Sequence, residues 1–145
     1  MSFWDSSGLV PLLVREETSA AIRARYRRDE APIVWWGTEV ECASAVARLE
    51  REGSLLSRAA TDAFRRLDTL GRAWHLIEPV DAVREAARRF LRVHDLRAGD
   101  ALQLGAALLA AEGRASTLEI VCLDDRLSAA ARREGFAVVG RSDVQ

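Results

Sequence analysis

Glu119-Ile120-Val121-Cys122-Leu123-Asp124-Asp125-Arg126-Leu127 is the stretch whose reading decides the fold. After Glu119 it runs through four apolar residues, too few for a helix, and stops at two acids, which marks a short buried strand. From Asp125 to Glu134 apolar residues recur at helical spacing, and Gly135 follows as a helix-ending residue. Ala137 to Val139 is a further apolar run. A strand passing straight into a helix and then into another apolar strand is the repeating unit of a parallel sheet covered on both faces.

The same alternation extends back to the N-terminus. Strands are expected at Ser2 to Trp4, Ile33 to Trp35, Trp74 to Ile77, Glu119 to Leu123 and Ala137 to Val139. Periodicity predicts helices over Ser7 to Val14, Ser19 to Arg28, Thr38 to Glu52, Ser54 to Thr69, Val80 to His94, Ala98 to Glu112 and Asp125 to Glu134. Gly53, Gly71, Gly113 and Gly135 each follow a helical pattern, and Thr38 with Glu41 three residues on reads as a capping box. The fold class is therefore α/β, a three-layer α/β/α domain around a five-stranded parallel sheet.

A chain of 145 residues carries one core, so residues 1–145 form a single domain. Its 49% hydrophobic content, with only nine Gly and three Pro, excludes disorder as the main state. Twenty-one basic against 22 acidic residues leave a net charge of -1, so a nucleic acid would have to be met by a local patch. All the basic residues are Arg, and the lack of Lys excludes the phosphate-loop lysine and Schiff-base chemistry. Ala101 to Ala111, the longest apolar stretch, is interrupted by Gln103 and too short to span a bilayer. With no basic leader around Asp5, a cytoplasmic protein without membrane association is expected. Cys42 and Cys122 lie far apart with no CxxC partner, which reads as two reduced, packed thiols.

Ligands of parallel sheets collect outside the carboxyl ends of the strands. Asp5 directly follows Ser2-Phe3-Trp4, and Asp124 directly follows the strand ending at Leu123. Glu41 falls in the first turn of the helix after the second strand, and Asp100 in the first turn of the helix from Ala98. Four carboxylates meeting at one rim repel one another unless a cation sits among them or some carry protons. Oxygen-only ligands select magnesium or manganese, while two His in the whole chain disfavour zinc. Such an ion can polarise a phosphoryl oxygen and lower the pKa of a bound water, which points to phosphodiester hydrolysis. Each acid alone is also a good helix cap or dipole partner, worth about 0.5–2 kcal/mol. Their coincidence, together with a family resemblance, favours chemistry over capping.

Four segments carry a resemblance over nearly the whole chain: Phe3-Trp4-Asp5-Ser6-Ser7-Gly8-Leu9-Val10, Glu41-Cys42-Ala43-Ser44-Ala45-Val46-Ala47-Arg48, His94-Asp95-Leu96-Arg97-Ala98-Gly99-Asp100-Ala101-Leu102-Gln103-Leu104, and Asp124-Asp125-Arg126-Leu127. In this order and spacing they resemble the PIN-domain ribonucleases, most closely the VapC toxins of bacterial type II toxin-antitoxin systems. The resemblance implies a five-stranded parallel sheet and endonucleolytic hydrolysis of RNA (tRNA, rRNA or mRNA) by metal-activated water, leaving a 5′-phosphate and a 3′-hydroxyl. It also implies Mg2+ or Mn2+ as cofactor, a cognate antitoxin as partner, and a homodimer. Carried over by position, Asp5, Glu41, Asp100 and Asp124 are the metal and catalytic acids. Glu39 competes with Glu41, yet only Glu41 has the family spacing to Ser44-Ala45. The family usually has Thr or Ser where this chain has Cys122, so a supporting hydroxyl is expected to be lost. Asp125 either compensates or caps the next helix, and capping is the favoured reading. Ser6 or Ser7 either hydrogen-bonds to Asp5 or a metal-bound water, or caps the first helix.

Arg23, Arg25, Arg27 and Arg28, and later Arg65, Arg66 and Arg72, form basic patches that read first as solvated faces. In the resembled family this helical hairpin engages the antitoxin. Trp35 reads as core and Trp36 as a candidate for stacking on a base or partner. Leu12, Leu13, Val14 and Ile22 could pack inside or on a partner helix, and His75 and His94 read as structural. Two alternatives are a binding or regulatory module, motivated by Cys122, and a phosphatase with Asp5 as nucleophile. The latter is disfavoured by Ser7 in place of a second acid and by the absence of Lys.

Overall fold

In the computed structural model, which describes residues 1–145, five strands pair in parallel in the order β3-β2-β1-β4-β5. They are β1 (Ser2–Trp4), β2 (Ile33–Trp35), β3 (His75–Ile77), β4 (Glu119–Val121) and β5 (Ala137–Val139). The first strand in the chain is thus the central one. Phe3 lies beside Ile33 and Ile120, and Trp4 beside Val34 and Val121.

Side chains alternate across the sheet, and each face carries its own core. Phe3, Ile33 and Ile120 meet Val83 and Phe90 of α5 (Asp81–Val93), Leu104 of α6 (Ala98–Ala110) and Leu127 of α7 (Asp125–Arg133). Trp4, Val34 and Val121 meet Leu9 of α1 (Ser6–Leu13), Ile22 of α2 (Ser19–Arg28), Val46 of α3 (Thr38–Arg51) and Leu67 of α4 (Ser57–Gly71). Full burial of each large apolar side chain contributes about 1.5–3 kcal/mol. Leu13, Val14 and Ile22, which the sequence could not divide between core and partner, lie in the second core; Leu12 is only partly buried. No helix is long and apolar enough to cross a membrane.

Two glycines set spacings that matter. A Cβ on Gly8 would stand 2.8 Å from the Val121 carbonyl oxygen, so its absence lets the first turn of α1 press on the end of β4. A Cβ on Gly105 would stand 2.7 Å from the Val83 carbonyl oxygen, which brings α6 against α5.

The structure departs from expectation at element ends. Thr38 does not cap α3: Gly37 holds that position without a side-chain bond, and the buried Thr38 hydroxyl accepts instead from Gln103. The fourth helix begins at Ser57 and not Ser54, because the Ser54 and Leu55 N–H groups turn back onto the Leu49 carbonyl after Gly53, at φ +80°. Gly71 is the last residue of α4, whereas Gly113 and Gly135 adopt the left-handed conformation at φ 78° and 100°. The fourth strand stops at Val121, since beyond it the Leu123 and Asp124 N–H groups donate to the Ser7 side chain. Short 3-10 turns at Ala115–Thr117 and Arg141–Asp143 complete the chain.

Candidate active site

The site grows from the junction of β1 and α1, where Asp5 is at once the residue after the strand and the cap of the helix. Its Oδ2 accepts the Ser7 N–H at 3.1 Å and the Ser7 hydroxyl. Ser7 Oγ itself accepts the Leu123 N–H at 2.8 Å and the Asp124 N–H at 3.2 Å, so one hydroxyl ties the carboxyl ends of β1 and β4 together. The Cys122 thiol lies 3.6 Å from the same Asp5 oxygen. Burial raises the Asp5 pKa, and the hydrogen bonds from Ser7 oppose that rise.

Glu41, in the first turn of α3, stands opposite. Gln103 Nε2 donates to its Oε1 at 2.9 Å and the Ser6 hydroxyl to its Oε2 at 3.3 Å. Burial, and then the charge of Asp5, push its carboxyl up to about 7. Asp100, in the first turn of α6, accepts the Arg97 N–H at 3.4 Å; its pKa is raised by burial and then by Asp124. Asp124 is exposed and caps α7, its Oδ1 accepting the Leu127 N–H at 2.8 Å. Asp5 acts on Glu41, Asp100 acts on Glu41, and Asp124 acts on Asp100, so the four acids form one run of like charge along the carboxyl rim of the sheet.

Beside this run opens a cleft of about 680 Å3, with Glu41, Ser44 and Arg48 among the residues of one wall and Ser7, Asp124 and Arg141 among those of the other. Asp5, Asp100 and Asp124 each hydrogen-bond through one carboxylate oxygen, which leaves the second of each pair without a protein donor. No three His, Cys, Asp or Glu side chains stand close enough to enclose an ion by themselves. A donor set of spaced carboxylates fits a hard cation that keeps several waters, and does not fit zinc.

Several expectations are refined here. The cap of α7 is Asp124, so Asp125 neither caps that helix nor has a bond to the other acids. The cap of α1 is Asp5, while Ser7 binds Asp5 and Ser6 binds Glu41. Glu39 is exposed on α3 and does not contribute to the charge on Glu41. Cys122 does not leave a gap where a hydroxyl was expected: its sulfur lies within 3.7 Å of Ser7 Oγ and 3.6 Å of Asp5 Oδ2. Both cysteines are free and buried. Trp35 is core and Trp36 is exposed. His94 pairs with Glu134 at 2.8 Å, away from the four acids, and His75 lies on the exposed edge strand.

Sequence reasoning missed Gln103 as a member of the site. It is 1% exposed and donates to Thr38 Oγ1 at 2.8 Å as well as to Glu41. Its signal was present, since a lone amide inside the apolar run Ala101 to Ala111 needs a buried partner. Arg48 and Arg141 were missed too. Of the arginines singled out by sequence, Arg25 pairs with Glu119, while Arg23, Arg27, Arg65 and Arg66 surround a separate pocket of about 370 Å3 between α1, α2 and α4.

No family model matches this sequence, and no curated protein matches it. Solved structures do share its fold. The chain is similar to a toxin-antitoxin complex from Klebsiella pneumoniae at 15% identity over 96% of this chain and 96% of that chain, with a TM-score of 0.64. It is similar to VapC20 of Mycobacterium tuberculosis, a sarcin-ricin loop cleaving toxin, at 18% identity over 94% of this chain and 97% of that chain, with a TM-score of 0.68. It is also similar to FitAcB from Neisseria gonorrhoeae at 19% identity over 95% and 96% of the two chains, with a TM-score of 0.63. The fold is the PIN-domain fold of the VapC structure.

Proposed function

We propose that the chain is a metal-dependent endoribonuclease and the toxin of a type II toxin-antitoxin pair, acting in the cytoplasm on tRNA, rRNA or mRNA. The observation that carries this reading is the continuous run of Asp5, Glu41, Asp100 and Asp124 beside an open cleft, on a fold shared with an RNA-cleaving toxin. Like charges held this close call for a cation.

Asp5, Glu41, Asp100 and Asp124 would hold magnesium or manganese, which when bound supplies polarisation of the phosphodiester and an acidic water. The protein's part is orientation. Ser7 and Cys122 aim Asp5, while Ser6 and Gln103 aim Glu41. Burial and the charge of Asp5 hold the Glu41 carboxyl up at about 7, and a cation bound among these acids would relieve that repulsion. In-line displacement leaves a 5′-phosphate and a 3′-hydroxyl.

An antitoxin is the proposed partner, in keeping with the toxin-antitoxin complex among the similar structures. The pocket between α1, α2 and α4, apolar at Leu12 and Leu70 and ringed by arginines, offers it a surface. Homodimer formation is proposed through the exposed Leu76 and Val80 around β3 and Leu91 and Val93 on α5. The binding-module alternative rests on Cys122, whose sulfur lies 3.6 Å from Asp5 Oδ2 and 3.4 Å from the Asp124 carbonyl oxygen.

The test is cleavage of total tRNA and ribosomal RNA by antitoxin-free protein with manganese. Asp5→Asn and Asp100→Asn should each lower the rate at least about 100-fold, in the range of other charged groups that act at a reacting centre. A folded wild type that cleaves no RNA and binds neither ion would overturn the proposal.

A further inference from the structure

We infer that Arg48 and Arg141 anchor the phosphate backbone of the substrate strand on opposite walls of the cleft, an inference that rests on the ribonuclease reading above. Glu41, Ser44, Ala45 and Arg48 follow one another at helical spacing on the cleft face of α3. Seven residues of helix place the Arg48 backbone about 10 Å from that of Glu41 along the axis. Arg141 enters from the far wall, in the 3-10 turn after β5, and donates from Nη2 to the Leu123 carbonyl at 3.3 Å, which holds its guanidinium at the end of β4 on the cleft.

These two are the cations among the residues lining the cleft, and neither has a carboxylate partner. By contrast Arg25, Arg65, Arg84, Arg89 and Arg126 all stand in ion pairs. Glu16, Glu41 and Asp124 line the same cleft, so a polyanionic strand drawn to the acids meets repulsion that local cations must offset. The guanidinium fork matches a phosphate bidentately. The offset along α3 means that Arg48 takes a phosphate neighbouring the one being cut, with Arg141 on the other wall. An acidic protein segment could pair with the same arginines. RNA is favoured because a bond cleaved at Glu41 and Asp124 necessarily brings its neighbouring phosphates into this cleft.

The experiment measures binding of a short fluorescein-labelled single-stranded RNA across a sodium chloride series, on Asp100→Asn protein to prevent turnover. Arg48→Ala and Arg141→Ala should each weaken binding several-fold at low salt and flatten the log-log salt slope by about 0.7, the value of one single-strand phosphate contact. Arg48→Lys and Arg141→Lys should restore the slope. In cleaving protein the alanine variants should raise KM by more than they lower kcat. Unchanged RNA affinity and salt slope, with normal cleavage, would overturn the anchoring role and leave the ribonuclease reading intact. Weakened binding of polyglutamate, with RNA binding unchanged, would assign the arginines to an acidic protein segment and overturn it as well. A wild type that neither binds nor cleaves RNA would bring down both readings together.

Discussion

Gln103 holds Glu41 across the gap between two helices on opposite faces of the sheet, its Nε2 lying 2.9 Å from Oε1 while also donating to Thr38 at 2.8 Å. One buried amide therefore locks α6, which carries Asp100, to α3, which carries Glu41. Gln103→Leu fills the same space without a donor. Hydrogen bonds to charged groups are worth about 1.5–3 kcal/mol, so cleavage should fall about 10- to 100-fold, mainly in kcat. Single-turnover kinetics with manganese would check this; an unchanged rate would show that Glu41 needs no such support.

The acids also predict how stability depends on pH. Asp5, Glu41 and Asp100 all have folded-state pKa values raised above their ordinary ones. A raised carboxyl pKa means the folded chain holds its proton longer than the unfolded chain, so stability falls as pH rises between the two values. For Glu41 that window runs from 4.5 to about 7. Cation-free protein should therefore melt several degrees lower at the top of this window than at the bottom, and manganese should restore the difference. Glu41→Gln should flatten the cation-free profile and abolish cleavage. Thermal melts across the window, with and without manganese, decide it.

Ser7 carries more than its partner Asp5. Ser7→Ala leaves the Leu123 and Asp124 N–H groups without their acceptor, and should cost about 1–3 kcal/mol in urea unfolding as well as most of the activity. Cys122→Ser replaces the thiol by a hydroxyl at nearly the same place, and should cleave at least as well as the wild type. If Cys122→Ser were inactive but folded, the thiol would have a role beyond orienting Asp5.

At the other rim, Asp29 clamps the starts of β1 and β2. Its carboxylate accepts the Ser2 N–H at 2.9 Å, Trp4 Nε1 at 2.9 Å and the Ala31 N–H at 3.1 Å. Burial would raise its pKa, but these bonds and the chain's amino terminus outweigh that and hold it below the usual 3.8. The stabilisation is present above the unfolded pKa and is lost as pH falls through the lower folded value. Asp29→Ala should destabilise the chain by about 2–3 kcal/mol at neutral pH without changing metal affinity. Calorimetry and manganese titration would separate the two effects.

The strands at Ser2–Trp4, Ile33–Trp35 and Ala137–Val139 were legible to the residue, because each is a short apolar run between polar neighbours. Placement of Asp5 and Asp124 followed from the same rule, since an acid directly after a parallel strand has one rim to occupy. The network around them was not legible. Ser7 reaches residues 116 and 117 positions away, and Gln103 reaches Thr38 and Glu41 across 65 and 62 positions, separations that no local pattern encodes. Thr38 shows the converse error: its spacing to Glu41 satisfied a local rule, but a long-range partner claimed the hydroxyl. Arg48 and Arg141 stood among 21 arginines with nothing in their neighbourhoods to mark them.

The central position of the first strand bears on how the protein is made. Ser2, Phe3 and Trp4 lie in register with Glu119, Ile120 and Val121, so the middle of the sheet closes only after most of the chain has left the ribosome. A strand with both edges open must wait through synthesis of six helices before its second neighbour arrives. Asp124 and Arg141 emerge later still. The cleft therefore closes after the pocket between α1, α2 and α4 has its lining residues, so the two surfaces of the molecule are completed in sequence and not together.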